Sequence, residues 1–200
     1  MTLLKDSLKN CRLILASNSP RRRQLLGDCG LEFTLAQKYE VDEIYPADME
    51  AERVPEYLAG LKSDGYPELL SEGDVLITAD TVVILGDRIL GKPADRGEAV
   101  EMIRALSGKS HTVVTGVVLR SATDRQSFSA HSKVTFRELR DEEIEYYVDT
   151  YSPLDKAGAY GIQEWIGYVA VEHIEGSFYN VIGLPVQRLY VELEKFLTNK

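Results

Sequence analysis

The chain has 200 residues, 44% hydrophobic and 28% charged, with 23 Lys and Arg against 32 Asp and Glu for a formal net charge of -9. That balance belongs to a folded chain rather than a disordered one, and the length suits one large domain or two small lobes around a real core. It also speaks against general nucleic-acid binding, which needs a basic face. Cys11 and Cys29 are too few for a disulfide framework, and no zinc-type spacing occurs. There is no signal-peptide pattern and no apolar run of spanning length, so a cytoplasmic protein without a membrane partner is expected. An acidic chain that binds an anion must gather positive charge locally, so its few basic clusters are informative.

Leu13 to Ala16 form a short apolar run that suits a buried strand. Ser17-Asn18-Ser19-Pro20 then stops it and starts a helix, with Ser19 as N-cap and Pro20 as first helical residue. Arg21, Arg22 and Arg23 crowd the first turn, where the helix dipole is already positive and each cation costs roughly 0.3–1 kcal/mol. Such a turn becomes favourable when an anion fills it, because backbone N–H groups, Ser hydroxyls and guanidinium forks all suit phosphate. The competing reading is three solvated arginines. The strand, Ser-x-Ser, helix setting favours phosphate, though the Gly-Lys-Ser/Thr ending of a Walker A loop is absent.

Further on, Cys29-Gly30 reads as a stop and Leu31 to Ala36 as an alternating strand. Residues 37–50 are acidic and irregular. Glu52 to Leu61 reads as a helix with Val54, Tyr57, Leu58 and Leu61 on one face, and Lys62 lies just past it. Asp74 to Leu85 is the most apolar stretch and reads as a central strand with Asp80 in its middle. A carboxylate there is expensive unless it is paired or holds a metal. Either a bulge puts Asp80 in water, or it is a catalytic or metal-binding group. Gly86-Asp87 turns the chain into a second strand, Arg88 to Gly91, and Lys92-Pro93 follows.

Asp95 to Leu106 reads as a helix opened by an Asp95/Glu98 capping pair, with Ala99, Met102, Ile103 and Leu106 buried. His111 to Leu119 and Ser127 to Phe136 form a long hairpin. His111 and His131 have no partner in sequence and read as structural or exposed. Asp141 to Val148 is a helix. Pro153 to Gln163 is a loop whose Asp155, Lys156 and Gln163 are polar groups it can aim inward. Trp165 to Ile174 reads as a strand, and Gly183-Leu184-Pro185 starts the last helix. The expected fold is α/β or α+β, with a mixed twisted sheet and flanking helices, because the hairpins exclude a purely parallel one.

Six motifs, Leu-Ala-Ser-Asn-Ser-Pro-Arg-Arg (15–22), Ala-Asp-Thr (79–81), Gly-Lys-Pro (91–93), Leu-Ser-Gly-Lys-Ser-His (106–111), Leu-Asp-Lys-Ala-Gly-Ala-Tyr-Gly-Ile-Gln (154–163) and Gly-Leu-Pro (183–185), occur in this order. Together they resemble the Maf family of nucleoside triphosphate pyrophosphatases from about Leu13 to Tyr190. The resemblance implies a single two-lobed domain over residues 1–200, related to the inosine triphosphate pyrophosphatases, with its site in a central cleft. It implies hydrolysis of a nucleoside triphosphate to monophosphate and pyrophosphate with Mg²⁺ or Mn²⁺. The family is cytoplasmic, often dimeric, and linked to arrest of septum formation and removal of unwanted nucleotides. Its catalytic Asp falls on Asp80, and its phosphate-binding residues on Ser17, Ser19, Arg21 and Arg22. Its lysines fall on Lys62 and Lys92, and its second metal-site carboxylate on Asp42 or Glu43. Arg21, Thr81 and Gln163 match the members that act on dTTP and UTP, whereas the 7-methyl-GTP members tend to carry Trp, Gln and Glu. The alternatives are a pyrophosphatase for modified or purine nucleotides such as 7-methyl-GTP, or a non-catalytic nucleotide-binding regulator of septum formation.

Overall fold

The structure is a computed structural model that describes residues 3–198. Helix α1 (Leu4–Ser7) and a 3₁₀ turn lead into β1 (Arg12–Leu15), whose Leu13, Ile14 and Leu15 are buried. Ser19 caps α2 (Pro20–Asp28) as its sequence requires: the Ser19 Oγ accepts the Arg22 N–H at 3.4 Å, and Pro20 occupies the first turn. The strand expected over 31–36 shrinks to β2 (Thr34–Leu35), because only these two residues find a register on β1, with Ile14 opposite Thr34 and Leu15 opposite Leu35.

Helix α3 (Val54–Asp64) follows a 3₁₀ turn and runs on past the expected end at Leu61. Its buried face holds Val54, Leu58 and Ala59, while Tyr57 lies off that face and is exposed. Strand β3 (Asp74–Leu85) is buried along nearly its whole length, Asp80 included, so the bulge alternative is excluded. It pairs parallel with β1 from Arg12/Asp74 to Leu15/Ile77, and after the turn it pairs antiparallel with β4 (Arg88–Leu90). Helix α4 (Arg96–Leu106) is capped by Asp95, which accepts the Glu98 N–H at 2.9 Å. Glu98 returns its carboxylate to the Ala94 N–H at 2.6 Å. Strands β5 (Ser110–Arg120) and β6 (Arg125–Phe136) form the expected hairpin, and α5 (Asp141–Tyr151) extends one turn beyond its expected limit.

The strand expected over 165–174 is half wrong. Its first six residues form α6 (Trp165–Ala170), and only then does β7 (Val171–Glu175) begin. Ile166 and Ala170, four apart, are the buried pair of this short helix. Gly167 lets it close against the preceding turn, since a Cβ there would sit 1.7 Å from the Ile162 carbonyl oxygen. Helix α7 (Phe178–Ile182) has no counterpart in the sequence reading. Helix α8 (Val186–Thr198) buries Val186, Leu189, Leu193 and Phe196.

Among the described residues seven strands make a mixed sheet in the order β2-β1-β3-β5-β6-β7, with β4 on β3. The chain divides into two compact units. The first takes residues up to Asp80, Thr115–Ala130 and the residues from Gly183 onward. The second takes Thr81–Val114 and His131–Ile182. In the first, Arg12 grips Asp74 through two hydrogen bonds, of 2.9 and 2.7 Å, and holds its carboxyl below the usual carboxylate range. The second has its own apolar core, built from α4, α5 and α6 against β5, β6 and the 159–162 segment.

His111 belongs to that core, as one of the two alternatives for it expects. Its Nε2 lies 2.8 Å from the Tyr160 hydroxyl, and its ring meets Phe136 and Tyr160 edge-on. Burial pushes its pKa from 6.5 down to about 4. In the unfolded chain the ring takes its proton near pH 6.5, in the folded chain only near 4, so the unfolded state binds more protons across that window. Stability is therefore complete above pH 6.5 and falls towards pH 4, by up to about 1.4 kcal/mol per pH unit. The Glu143 carboxyl, held at about 2 by Arg137, titrates largely below this window. Urea unfolding at a series of pH values should show the slope in wild type and a flatter curve in His111→Gln. An unchanged slope in the variant would assign the effect to other groups.

Candidate active site

In the first unit, the turn between β1 and α2 is shaped by hydroxyls and one arginine. The Ser17 Oγ accepts the Ser19 N–H at 3.2 Å and a guanidinium N–H of Arg22 at 3.4 Å. The Arg22 Nε donates to the Gly183 carbonyl and its Nη1 to the Ala79 carbonyl, both at 2.8 Å. Arg22 thus ties the first turn of α2 to the residue beside Asp80 and to the Gly-Leu-Pro segment. Burial pushes its guanidinium below the ordinary value, and the Asp80 charge opposes that shift. Arg21 is half-buried and Arg23 exposed on the same turn. This anchoring makes Arg22 a shaper of the turn.

Lys62 stands at the centre of the second cluster. Its Nζ lies 2.5 Å from the Asp80 carboxylate and 3.1 Å from that of Glu43. Both carboxylates left open by the sequence are exposed, and Glu43 is the one that converges with Asp80 on this ammonium. The backbone that carries Lys62 is held firmly. Tyr39, whose hydroxyl burial pushes up to about 12, donates to the Lys62 carbonyl at 2.6 Å. Thr78 on β3 donates to the Ala59 carbonyl at 2.7 Å. Glu56 accepts from Ser127 and Ser129, and a Cβ on Gly116 would lie 2.2 Å from the Glu56 nitrogen, so α3 rests directly on β5. A cavity of about 410 Å³ opens beside this cluster, walled by Asn18, Lys38, Tyr39, Asp42 and Glu43 among others.

The second unit carries the remaining expected residues. Thr81 is half-buried on β3 and Lys92 is exposed after β4. Gln163 is half-buried, yet its side-chain oxygen is shielded from solvent and has no hydrogen-bond partner. A buried acceptor without a donor costs about 1–3 kcal/mol, a cost that a ligand N–H can relieve. Lys156, buried, pairs with Asp155 at 2.7 Å and Glu164 at 3.2 Å. Glu164 and Tyr147 were not singled out from the sequence. The only signal for Glu164 was a charge directly after the Gly-Ile-Gln motif.

Among the described residues no three His, Cys, Asp or Glu side chains gather as a metal cage. The donors that do converge, Asp80 and Glu43, are two hard carboxylates. That set fits Mg²⁺ or Mn²⁺, which take one or two carboxylates and complete their shell with water and substrate phosphates. Among the described residues no Cys and His side chains gather as a zinc site would need.

A helix start ordered by serines and an arginine, together with a lysine between two carboxylates, defines a mixed α/β protein suited to phosphorylated ligands. The profile of the Maf-like protein family matches residues 12–196. A dTTP/UTP pyrophosphatase from Bacteroides thetaiotaomicron is 53% identical over 189 residues, covering 94% of this chain and 98% of its own. One from Porphyromonas gingivalis is 51% identical over 193 residues, covering 96% and 97%. A solved HAM1 protein from Coxiella burnetii superposes with a TM-score of 0.47 at 16% identity, covering 92% of this chain and 99% of its own. The chain belongs to the Maf family.

Proposed function

We propose that the protein hydrolyses dTTP and UTP to the nucleoside monophosphate and pyrophosphate. The observation that carries this reading is the half-identity, over nearly full length, to relatives that bear that activity in their names. The paired carboxylates on Lys62 supply matching chemistry. In the reaction a water oxygen attacks the α-phosphorus, the bond from that phosphorus to the bridging oxygen breaks, and pyrophosphate leaves. Asp80 takes the proton of the attacking water. Ser17, Ser19, Arg21 and Arg22 hold phosphate oxygens at the start of α2, and Lys62 and Lys92 supply further positive charge. Asp80 and Glu43, with Asp42 beside them, would hold a divalent cation, which would supply neutralisation of phosphate charge and acidification of water. Thr81 and Gln163, with Arg21, choose the base. The compartment we assign is the cytoplasm, with a nucleoside triphosphate as partner, neither nucleic acid nor membrane, and a homodimer as the assembly. Among the described residues no helix is long and apolar enough to cross a membrane.

A Gln amide offers one donor and one acceptor, as does the O4/N3–H edge of thymine or uracil. The test is a panel of dTTP, UTP, CTP, dGTP and 7-methyl-GTP, with Mg²⁺ and again with excess EDTA, in wild type and Gln163→Ala. Wild type should prefer dTTP and UTP, lose turnover in EDTA, and lose most of its base preference in the variant. Preference for 7-methyl-GTP, binding without any release of pyrophosphate, or full activity in EDTA would contradict the reading.

A further inference from the structure

The base-choosing role of Gln163 raises the question of what fixes its amide, and the geometry of the second unit answers it. Residues Gly161 to Glu164 form a tight turn closed by the Glu164 N–H on the Gly161 carbonyl at 2.9 Å, with Gln163 in its third position. One hydroxyl braces both ends of this turn. The Tyr147 oxygen on α5 accepts the Gly161 N–H at 2.9 Å, and its proton goes to the Glu164 carboxylate. The other oxygen of that carboxylate meets the buried Lys156 ammonium at 3.2 Å. Tyr147 itself is fully buried and stacked on Tyr151, with ring centroids 5.1 Å apart. Burial pushes its pKa far up, so the hydroxyl keeps the proton it donates. The Gln163 side chain folds back over the turn, so that a Cβ on Gly161 would lie 3.0 Å from its Nε2. The amide nitrogen therefore lies close against the Gly161 backbone of the turn.

We propose that Tyr147, Glu164 and Lys156 are positioning residues for base recognition: they hold the 161–164 turn so that the Gln163 amide presents one fixed donor and acceptor order to the base. The inference rests on the reading of Gln163 as the base-reading residue. Uracil and cytosine differ at the edge concerned, where an O4 acceptor and N3–H donor become an N4 donor and N3 acceptor. A rigid amide tells them apart, because the wrong edge sets donor against donor and acceptor against acceptor. An amide free to turn over serves both edges. Loss of the Tyr147 hydroxyl leaves the Gly161 N–H and one Glu164 oxygen without their partner, and the turn loses the brace at both ends.

The experiment measures kcat/KM for UTP and CTP in wild type, Tyr147→Phe, Glu164→Ala and Gln163→Ala, with thermal melting to confirm folding. The UTP/CTP ratio reads the base edge alone, since the phosphates and sugar are the same. Tyr147→Phe should lower that ratio roughly tenfold, the scale expected for a misaligned hydrogen-bonding group, while kcat for UTP changes little. Glu164→Ala should do the same, and it carries the test if Tyr147→Phe fails to fold. A role in stability alone would lower the melting temperature and leave the ratio where it was. If Gln163→Ala collapses the ratio and the folded brace variants keep it, the positioning role is wrong and the Gln163 reading stands. If Gln163→Ala itself keeps the wild-type ratio, the Gln163 reading is wrong and the inference falls with it.

Discussion

Asp80→Asn is expected to lower kcat for dTTP by roughly 10²–10⁴-fold, the range for removing a general base, and to leave the fold as it is. The residue sits on β3 between buried Ala79 and half-buried Thr81, and its own exposure is 9%. Asn is nearly isosteric, so strand packing is spared. What disappears is the negative charge, and with it both proton acceptance and half of the carboxylate pair on Lys62. Glu43 still meets the ammonium, so Lys62 does not become an unpaired cation. Near-wild-type turnover in a variant that melts like wild type would remove Asp80 from the chemistry.

Lys62→Met should reduce kcat/KM by roughly 10²-fold or more, the usual loss when one charge-stabilising group is deleted. It should also cost about 1.5–3 kcal/mol of stability, because a hydrogen bond to a charged group is lost and Asp80 is left without it. The side chains of Lys62 and Asp80 are only 19% and 12% exposed, so solvent screens the pair weakly. The double variant Lys62→Met/Asp80→Asn separates the two effects. It should recover part of the lost stability, since no charge is stranded, and recover none of the activity. Strict additivity of the two stability losses would show that the observed contact contributes little to folding.

Local chemistry was the legible part of this chain. The end of β1, the Ser19 cap and Pro20 are set by adjacent residues, so they read directly from sequence, and Asp80 stands out as a charge inside an apolar run. What stayed hidden depends on residues far apart. The Arg22 contact with the Gly183 carbonyl spans 161 positions. The preference of Lys62 for Glu43 over Asp42 lies in a segment with no periodicity to read. Helix α6 has six residues, too few to separate a period of 3.6 from one of 2, so its sequence reads equally as strand. Tyr147 looked like any aromatic on a helix; its hydroxyl gains meaning only where the 161–164 turn folds against it.

Attack of water on the α-phosphorus of a pyrimidine nucleoside triphosphate leaves the solvent oxygen on the monophosphate. Hydrolysis of dTTP in heavy-oxygen water, followed by mass analysis of every phosphate-containing product, tests it most directly. The expected products are dTMP carrying one heavy oxygen on its phosphate and unlabelled pyrophosphate in equal amount. Formation of dTDP and orthophosphate, or of dTMP with the label in pyrophosphate, would contradict it.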